Sequence, residues 1–384
     1  MEIIYVMDCF NDVETEEIHV GYYYTVSDAI KISILGCMCG LKNMCQISQW
    51  AASDVVREFL KEKFAIERIP CYYWYTRLLK IVKPESLSKA FTRWVEGFMP
   101  EYKEGKKDSE RSELTISVDG KTVRSTANMK SYGKYPLHIV SAQLAEYGLT
   151  LGQCSVESKS NEIPAVQELL HELDIRGCLI VADALNCQVE TAKVIIKGKG
   201  DYLLNVKDNQ ETTKEIIEEY IQEHQEDAET DSETKEEKNR GRSEKRTAYS
   251  VPYAVMNDSV LGKKWPELAT IGAIHREVDL NGLKSDEWHY YISSRNLTAK
   301  ELLHFARMEW TVETMHWFLD VIFEEDMCRV EDPNVQRNLN IIRKVALNCT
   351  KQYKKETASK EPVSHIMFSC LMNPNHLMDI IPGK

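Results

Sequence analysis

At 384 residues, 43% hydrophobic and 28% charged, the chain exceeds one typical domain and can bury a large core beside an accessory unit. Its formal charge of −12 argues at first against a polyanionic partner. Eleven cysteines, an odd number without the spacing of a small cross-linked scaffold, argue against an oxidising compartment.

No clear period marks residues 1–25, and the start, M-E-I-I-Y-V-M-D, lacks a basic leader. The longest apolar run, about 29–41, contains Lys31 and is too short for a bilayer. A soluble, cytoplasmic protein without a membrane partner is expected. From Val26 the spacing predicts a helix, with Ser27 or Asp28 as its cap, Ile30, Ile34, Leu35 and Met38 on one face, and Gly40 as its stop. Cys37, Cys39 and Cys45 read as buried thiols, because no matching His/Cys pair lies nearby. A second amphipathic segment, 47–64, puts Trp50, Val55, Phe59 and Leu60 on its apolar side. A third follows Pro70, and Pro84 opens a fourth over 85–98. Residues 1–105 therefore read as a helical domain, with the polar string 102–112 as its linker.

At Leu114 the period changes. T-I-S-V-D-G-K-T-V-R, Thr115 to Arg124, reads as a strand: Leu114, Ile116 and Val118 take one face, and Thr115, Ser117 and Asp119 the other. Strands over 137–144 and 149–156 continue a meander, followed by a helix over 162–173. The continuous apolar run 178–182 suits a strand buried on both faces and ends at Asp183. A helix over 187–196 and a strand over 202–206 complete a β-β-β-α-β-α-β order, a mixed sheet that binds ligands at the carboxyl ends of its strands.

Residues 207–297 read as a part-β insertion: an acidic helix, a basic loop, then strand-like segments near 269–278 and 288–293. Charge is segregated here. Residues 211–237 hold twelve acids and two lysines, leaving about −2 on the other 357 residues, and Lys238 to Arg246 (K-N-R-G-R-S-E-K-R) has five cations and one acid. Such blocks are commonly solvated faces; the sharper reading is a phosphate-contacting segment. From Thr298 one long helix is predicted to about Glu325, with Met308, Val312, Met315, Leu319 and Ile322 as an apolar stripe, and Glu309, Glu313, His316 and Asp320 on another face. The catalytic region is placed at 106–350, with 351–384 as a C-terminal tail.

Two aspartates at neighbouring strand ends and a glutamate from a packed helix suit divalent cations, which take hard oxygen ligands. Two such ions serve phosphodiester chemistry by activating one oxygen and stabilising another. Turn caps and surface acids are the plainer reading of the same residues.

The residues that bear on the choice are V-D-G-K-T-V-R (118–124), L-H-I-V-S-A (137–142), K-S-N-E-I-P-A (159–165), A-D-A-L-N-C-Q (182–188), G-D-Y-L-L-N-V-K-D-N-Q (200–210), Y-Y-I-S-S (290–294), H-W-F-L-D-V-I-F-E-E-D (316–326) and R-N-L-N-I-I-R-K-V-A-L-N (337–348). In this order they resemble bacterial insertion-sequence transposases of the H-repeat-associated group, DDE enzymes with an RNase H-like core, and 26–98 resembles that group's N-terminal domain. The resemblance implies Asp119, Asp183 and Glu313 as catalytic, metal-binding acids holding two Mg²⁺ ions, with Mn²⁺ as a substitute. It further implies DNA contacts from Lys121, Arg124, Lys207, Arg242, Arg246, His316 and Arg329. Arg329 and Arg343 serve equally as partners of nearby acids, and His316 with Trp317 as a packed pair. Double-stranded DNA, both element ends and target, would be the partner of a homodimer acting at the nucleoid.

Departures stand beside these matches. Around the third acid the group has a pattern close to R-x-H-W-x-I-E-N, where this chain reads R-M-E-W-T-V-E-T; G-H-G-R is N-R-G-R, and K-G-N-Q is K-D-N-Q. Glu309 adds like charge one turn before Glu313. The rival expectation is a weakened or inactive, transposase-derived DNA-binding protein.

Overall fold

The computed structural model describes residues 7–16, 23–98, 114–127, 129–132, 135–156, 162–239, 242–256 and 259–381. In chain order its elements are α1 Val26–Met38, α2 Met44–Ala51, α3 Asp54–Phe64, α4 Tyr72–Ile81, α5 Pro84–Phe98, β1 Thr115–Thr122, β2 His138–Leu144, β3 Leu149–Val156, α6 Glu162–Glu172, β4 Leu179–Ala182, α7 Val189–Lys197 and β5 Asp201–Val206. There follow α8 Glu211–His224, β6 Asp231–Asn239, β7 Arg242–Pro252, the short α9 Tyr253–Met256 and α10 Ser259–Lys264, β8 Thr270–Leu280 and β9 Leu283–Ser293. The chain closes with α11 Ala299–Met308, α12 Thr311–Val321, α13 Pro333–Glu356, α14 Val363–Met372 and α15 Leu377–Ile380. The expected β-β-β-α-β-α-β succession, part-β insertion and helical N-terminal region are all present; the linker expected at 102–112 lies outside the described residues.

The chain divides into two compact units, one drawn from 1–105, 120–165 and 312–384, the other from 106–119 and 166–311. In the first, α13 is the axis, and α1, α4, α5 and β3 pack on it. Asp332 caps α13 through Asn334 and Val335, and Pro333 suits its first turn. Buried polar side chains key this helix to its neighbours: Asn338 donates to the carbonyls of Leu79 and Val82 at 2.8 and 3.0 Å, and Asn348 exchanges two bonds with the Thr150 backbone. Such groups are costly unless paired, so they fix the register of the packing. β2 and β3 form an antiparallel hairpin, and the Val123 N–H reaches the Leu137 carbonyl at 2.8 Å.

In the second unit the strands run β1-β4-β5-β9-β8-β7-β6. β1, β4 and β5 are parallel; β9, β8, β7 and β6 follow antiparallel. α11, capped reciprocally by Thr298 and Glu301, buries Leu302, Leu303, Phe305 and Ala306 against Leu179, Val181, Leu203, Ala248, Ile274 and Tyr291.

Four local expectations are corrected. Residues 47–64 form two helices, because Ser53 starts a new one; the break shifts the phase, so Val56 is buried and Val55 is 67% exposed. Cys37 and Cys39 are buried, but Cys45 is exposed, and all eleven cysteines are free thiols. The basic segment belongs to a hairpin, β6 paired with β7 from Asp231↔Ser250 to Asn239↔Arg242, where cross-strand pairing replaces the expected loop. The single helix from 298 to 325 is two, parted at Glu309–Trp310, where the Thr311 hydroxyl donates to the Met308 carbonyl at 2.7 Å.

Candidate active site

Parallel pairing places Thr115, Ile116, Ser117 and Val118 of β1 opposite Leu179, Ile180, Val181 and Ala182 of β4. Asp119, inside β1, and Asp183, just past the end of β4, each follow the last of these pairs, and both are half-buried. Neighbouring strands lie about 4.8 Å apart, so the register brings the two acids to one level where β4 ends, although β1 runs on to Thr122.

Asp183 caps the turn 184–186: its Oδ1 accepts from the Asn186 backbone N–H at 3.2 Å and from Asn186 Nδ2 at 3.0 Å. That turn is braced in turn by the segment after β5. Asn209 Nδ2 donates to the Ala184 carbonyl at 2.7 Å, and Gln210 Nε2 to the Cys187 carbonyl at 2.9 Å. Asn186, Asn209 and Gln210 lie within A-D-A-L-N-C-Q and K-D-N-Q, but the sequence alone assigns them no role. Lys207, exposed at the end of β5, belongs to the same rim, and Lys214 holds Asp208 at 2.7 Å.

Ser117, on the Asp119 face of β1, meets Thr311 with their hydroxyl oxygens 3.0 Å apart. Thr311 opens α12, whose first turn carries the exposed Glu313. Glu309, beyond the end of α11, is separated from Glu313 by the helix break.

The other unit holds the cations that follow Asp119 in sequence. Lys121 is 11% exposed, with its ammonium held by Asp320 and, at 3.1 Å, by Glu325. Glu325 is fully enclosed and also takes Asn340 Nδ2 at 2.7 Å and Arg343 Nη1 at 3.3 Å. Burial alone would raise its carboxyl; the charges of Lys121 and Arg343 and the Asn340 bond hold it below the usual range. Arg343, 1% exposed, therefore takes the acid-pairing role, whereas Arg124 is 87% exposed with Nε 3.8 Å from Asp326. Burial, then the charges of Lys344 and Lys121, lowers His316 to about 3, so its imidazole is neutral at pH 7. Arg329 lines a cavity of about 780 Å³ with Lys42, Asn43, Tyr72 and Thr76.

Next to Asp119, Gly120 is required by crowding. A Cβ there would stand 2.5 Å from His138 Nε2 and 2.6 Å from Glu162 Oε2, two atoms joined in a buried pair of 2.8 Å. Arg242 and Arg246 lie on β7 in the insertion, both paired with Glu244.

Among the described residues no group of three or more His, Cys, Asp or Glu is gathered closely enough to hold a metal through protein ligands alone. Two adjacent carboxylates still fit a hard divalent cation that completes its shell with water and substrate oxygens.

Residues 110–349 match the family model described as Transposase DDE domain, and 7–95 match the DDE_Tnp_1-associated model. The chain is 30% identical over 368 residues to the Escherichia coli K12 protein named "H repeat-associated putative transposase YhhI", covering 94% of this chain and 93% of that one. It is 32% identical over 188 residues to its K12 relative YbfD, similarly named, covering 49% and 70% respectively. A solved piggyBac transposase synaptic complex with hairpin DNA aligns with 99% of this chain and 81% of that one, at 10% identity and a TM-score of 0.47. With a helical N-terminal region, a mixed sheet ending in paired aspartates and a family match over most of its length, the chain belongs to the DDE transposase family.

Proposed function

We propose that the protein binds the terminal inverted repeats of an insertion sequence, cuts DNA strands at those ends and transfers the freed 3′-hydroxyls to target DNA. Asp119 and Asp183, side by side beyond the Val118–Ala182 pair, are the observation that carries this reading. Asp119, Asp183 and Glu313 would hold two divalent cations, Mg²⁺ with Mn²⁺ as a substitute, which when bound supply electrophilic activation of phosphodiester oxygens.

The chain's own groups prepare that chemistry. Asn186 fixes one oxygen of Asp183, and Asn209 and Gln210 hold the turn that carries it. Lys207 and Arg124 offer exposed cations to phosphates, as does Arg329 on its cavity wall. Lys121 reaches DNA only by leaving Asp320 and Glu325. His316, half-buried and neutral, supports α12 rather than supplying charge. Arg242 and Arg246 of the insertion grip the element end.

The helical domain 1–105 would add end recognition or dimer contacts to the catalytic region 106–350. Synapsis of two ends calls for at least two protomers, and the site of action is the nucleoid. No helix among the described residues is long and apolar enough to cross a membrane.

Purified protein should be incubated with Mn²⁺ and either a duplex carrying the element end or one with that end scrambled. Nicking at the element boundary of the first alone is the expected result. Binding without nicking would replace this reading with that of a DNA-binding relic. Equal cutting of both duplexes would replace it with that of a general nuclease.

A further inference from the structure

β7 carries Arg242, Glu244 and Arg246 on one face at period two. The register puts Arg276 of β8 opposite Arg246, Lys235 and Glu237 of β6 opposite Arg246 and Glu244, and Glu287 of β9 opposite Arg276. Glu244 is the buried centre, with its side chain 8% exposed. It accepts from Arg242 Nη2 at 2.6 Å and Arg276 Nε at 2.8 Å, and pairs with Arg246. Burial alone would raise this carboxyl; the Arg276 bond and the charges of Arg246, Arg276 and Arg242 hold it below the usual range.

One carboxylate is neutralised by one cation, yet three arginines converge here. Glu237 adds Arg307 and Lys235, and Glu287 takes Arg276 at 2.9 Å. The network sets five cations against three acids, and Asp231 and Glu233 on the same face of β6 bring the two signs level, within a chain of net charge −12. Arg246 directly opposite Arg276 is an arrangement that costs stability in a sheet. Packing of one carboxylate needs no such convergence of guanidinium groups. Guanidinium forks held in place by a buried acid, yet partly open to solvent, suit bidentate capture of phosphate oxygens. Arg276 is 24% exposed and Arg242 44%.

We infer that Arg276 is a further DNA-phosphate contact, and that Glu244 positions it with Arg242 and Arg246 as one preformed phosphate-gripping face. This rests on the DNA-binding reading above. Nucleic-acid affinity falls with salt by a log–log slope of about −0.9 per phosphate contact.

The test is fluorescence anisotropy of the full chain on the end-carrying duplex, from about 50 to 200 mM salt. Arg276→Ala should weaken binding and flatten the slope by about one contact, and Arg276→Lys should recover the slope but only part of the affinity. Glu244→Gln removes a negative charge, so bulk electrostatics alone would tighten binding. Positioning predicts several-fold weaker binding, largely restored in Glu244→Asp. Parental affinity and slope in Arg276→Ala, or tighter binding by Glu244→Gln, would overturn the inference while leaving DNA binding intact. If the parent binds no duplex, the functional reading fails and this inference with it. Should Glu244→Gln unfold, Arg276→Ala and Arg276→Lys decide alone.

Discussion

Asp119 and Asp183 directly follow the register partners Val118 and Ala182 on neighbouring parallel strands, which brings the two acids to one level where β4 ends. Without a cation, two adjacent negative charges repel. Asp119→Asn should therefore raise metal-free thermal stability slightly while removing the stabilisation that Mn²⁺ gives the parent. Thermal unfolding with and without Mn²⁺ checks this; equal Mn²⁺ stabilisation of parent and variant would count against Asp119 as a ligand.

Gly120 leaves no room for a side chain between His138 and Glu162. Gly120→Ala must part a buried pair, and overpacking of this kind costs about 1–3 kcal/mol. Urea unfolding should show a lower midpoint at an unchanged slope.

Glu325 ties Lys121, Arg343 and Asn340 together out of solvent. Glu325→Ala leaves Arg343 without its buried counter-ion and Lys121 with Asp320 alone, a loss of about 3–5 kcal/mol. Chemical denaturation measures it, and a loss comparable to that of an exposed pair would contradict the burial argument.

Lys344 donates to Ser141 and Gln153 at 2.7 and 2.6 Å, and burial lowers it from 10.5 to about 7. Between those two values the unfolded chain binds the proton that the folded chain has lost, so this group makes stability rise with pH across the window. Lys344→Met should lack that component. Parent-minus-variant stability should be larger at about pH 9 than at about pH 6.5; a flat difference would show that Lys344 keeps its ordinary pKa.

The period-two runs and the apolar segment 178–182 made the sheet legible, because each was bounded by a turn residue or an acid. Asp183 bounds β4 as its pattern implies, whereas β1 continues past Asp119 to Thr122. What escaped depends on partners distant in sequence. The break between α11 and α12 rests on the Thr311 hydroxyl, and the β6–β7 hairpin on cross-strand pairs that mask an acidic and a basic block as separate segments. The sequence leaves Arg343 open between DNA and a nearby acid and does not show that Lys121 shares that acid, Glu325, 204 positions further along the chain. Asn338, Asn340, Arg343, Lys344 and Asn348 of R-N-L-N-I-I-R-K-V-A-L-N are buried in α13, which no local period in the sequence announces.

The central claim is that Asp119, Asp183 and Glu313 cut the DNA that the rest of the chain holds. The direct measurement is Mn²⁺-dependent nicking of the end-carrying duplex by parent, Asp119→Asn, Asp183→Asn and Glu313→Gln, beside each protein's anisotropy-derived affinity for that duplex. The predicted result is nicking by the parent alone, with affinities within a few-fold of one another. Nicking at the parental rate by any of the three variants would contradict it.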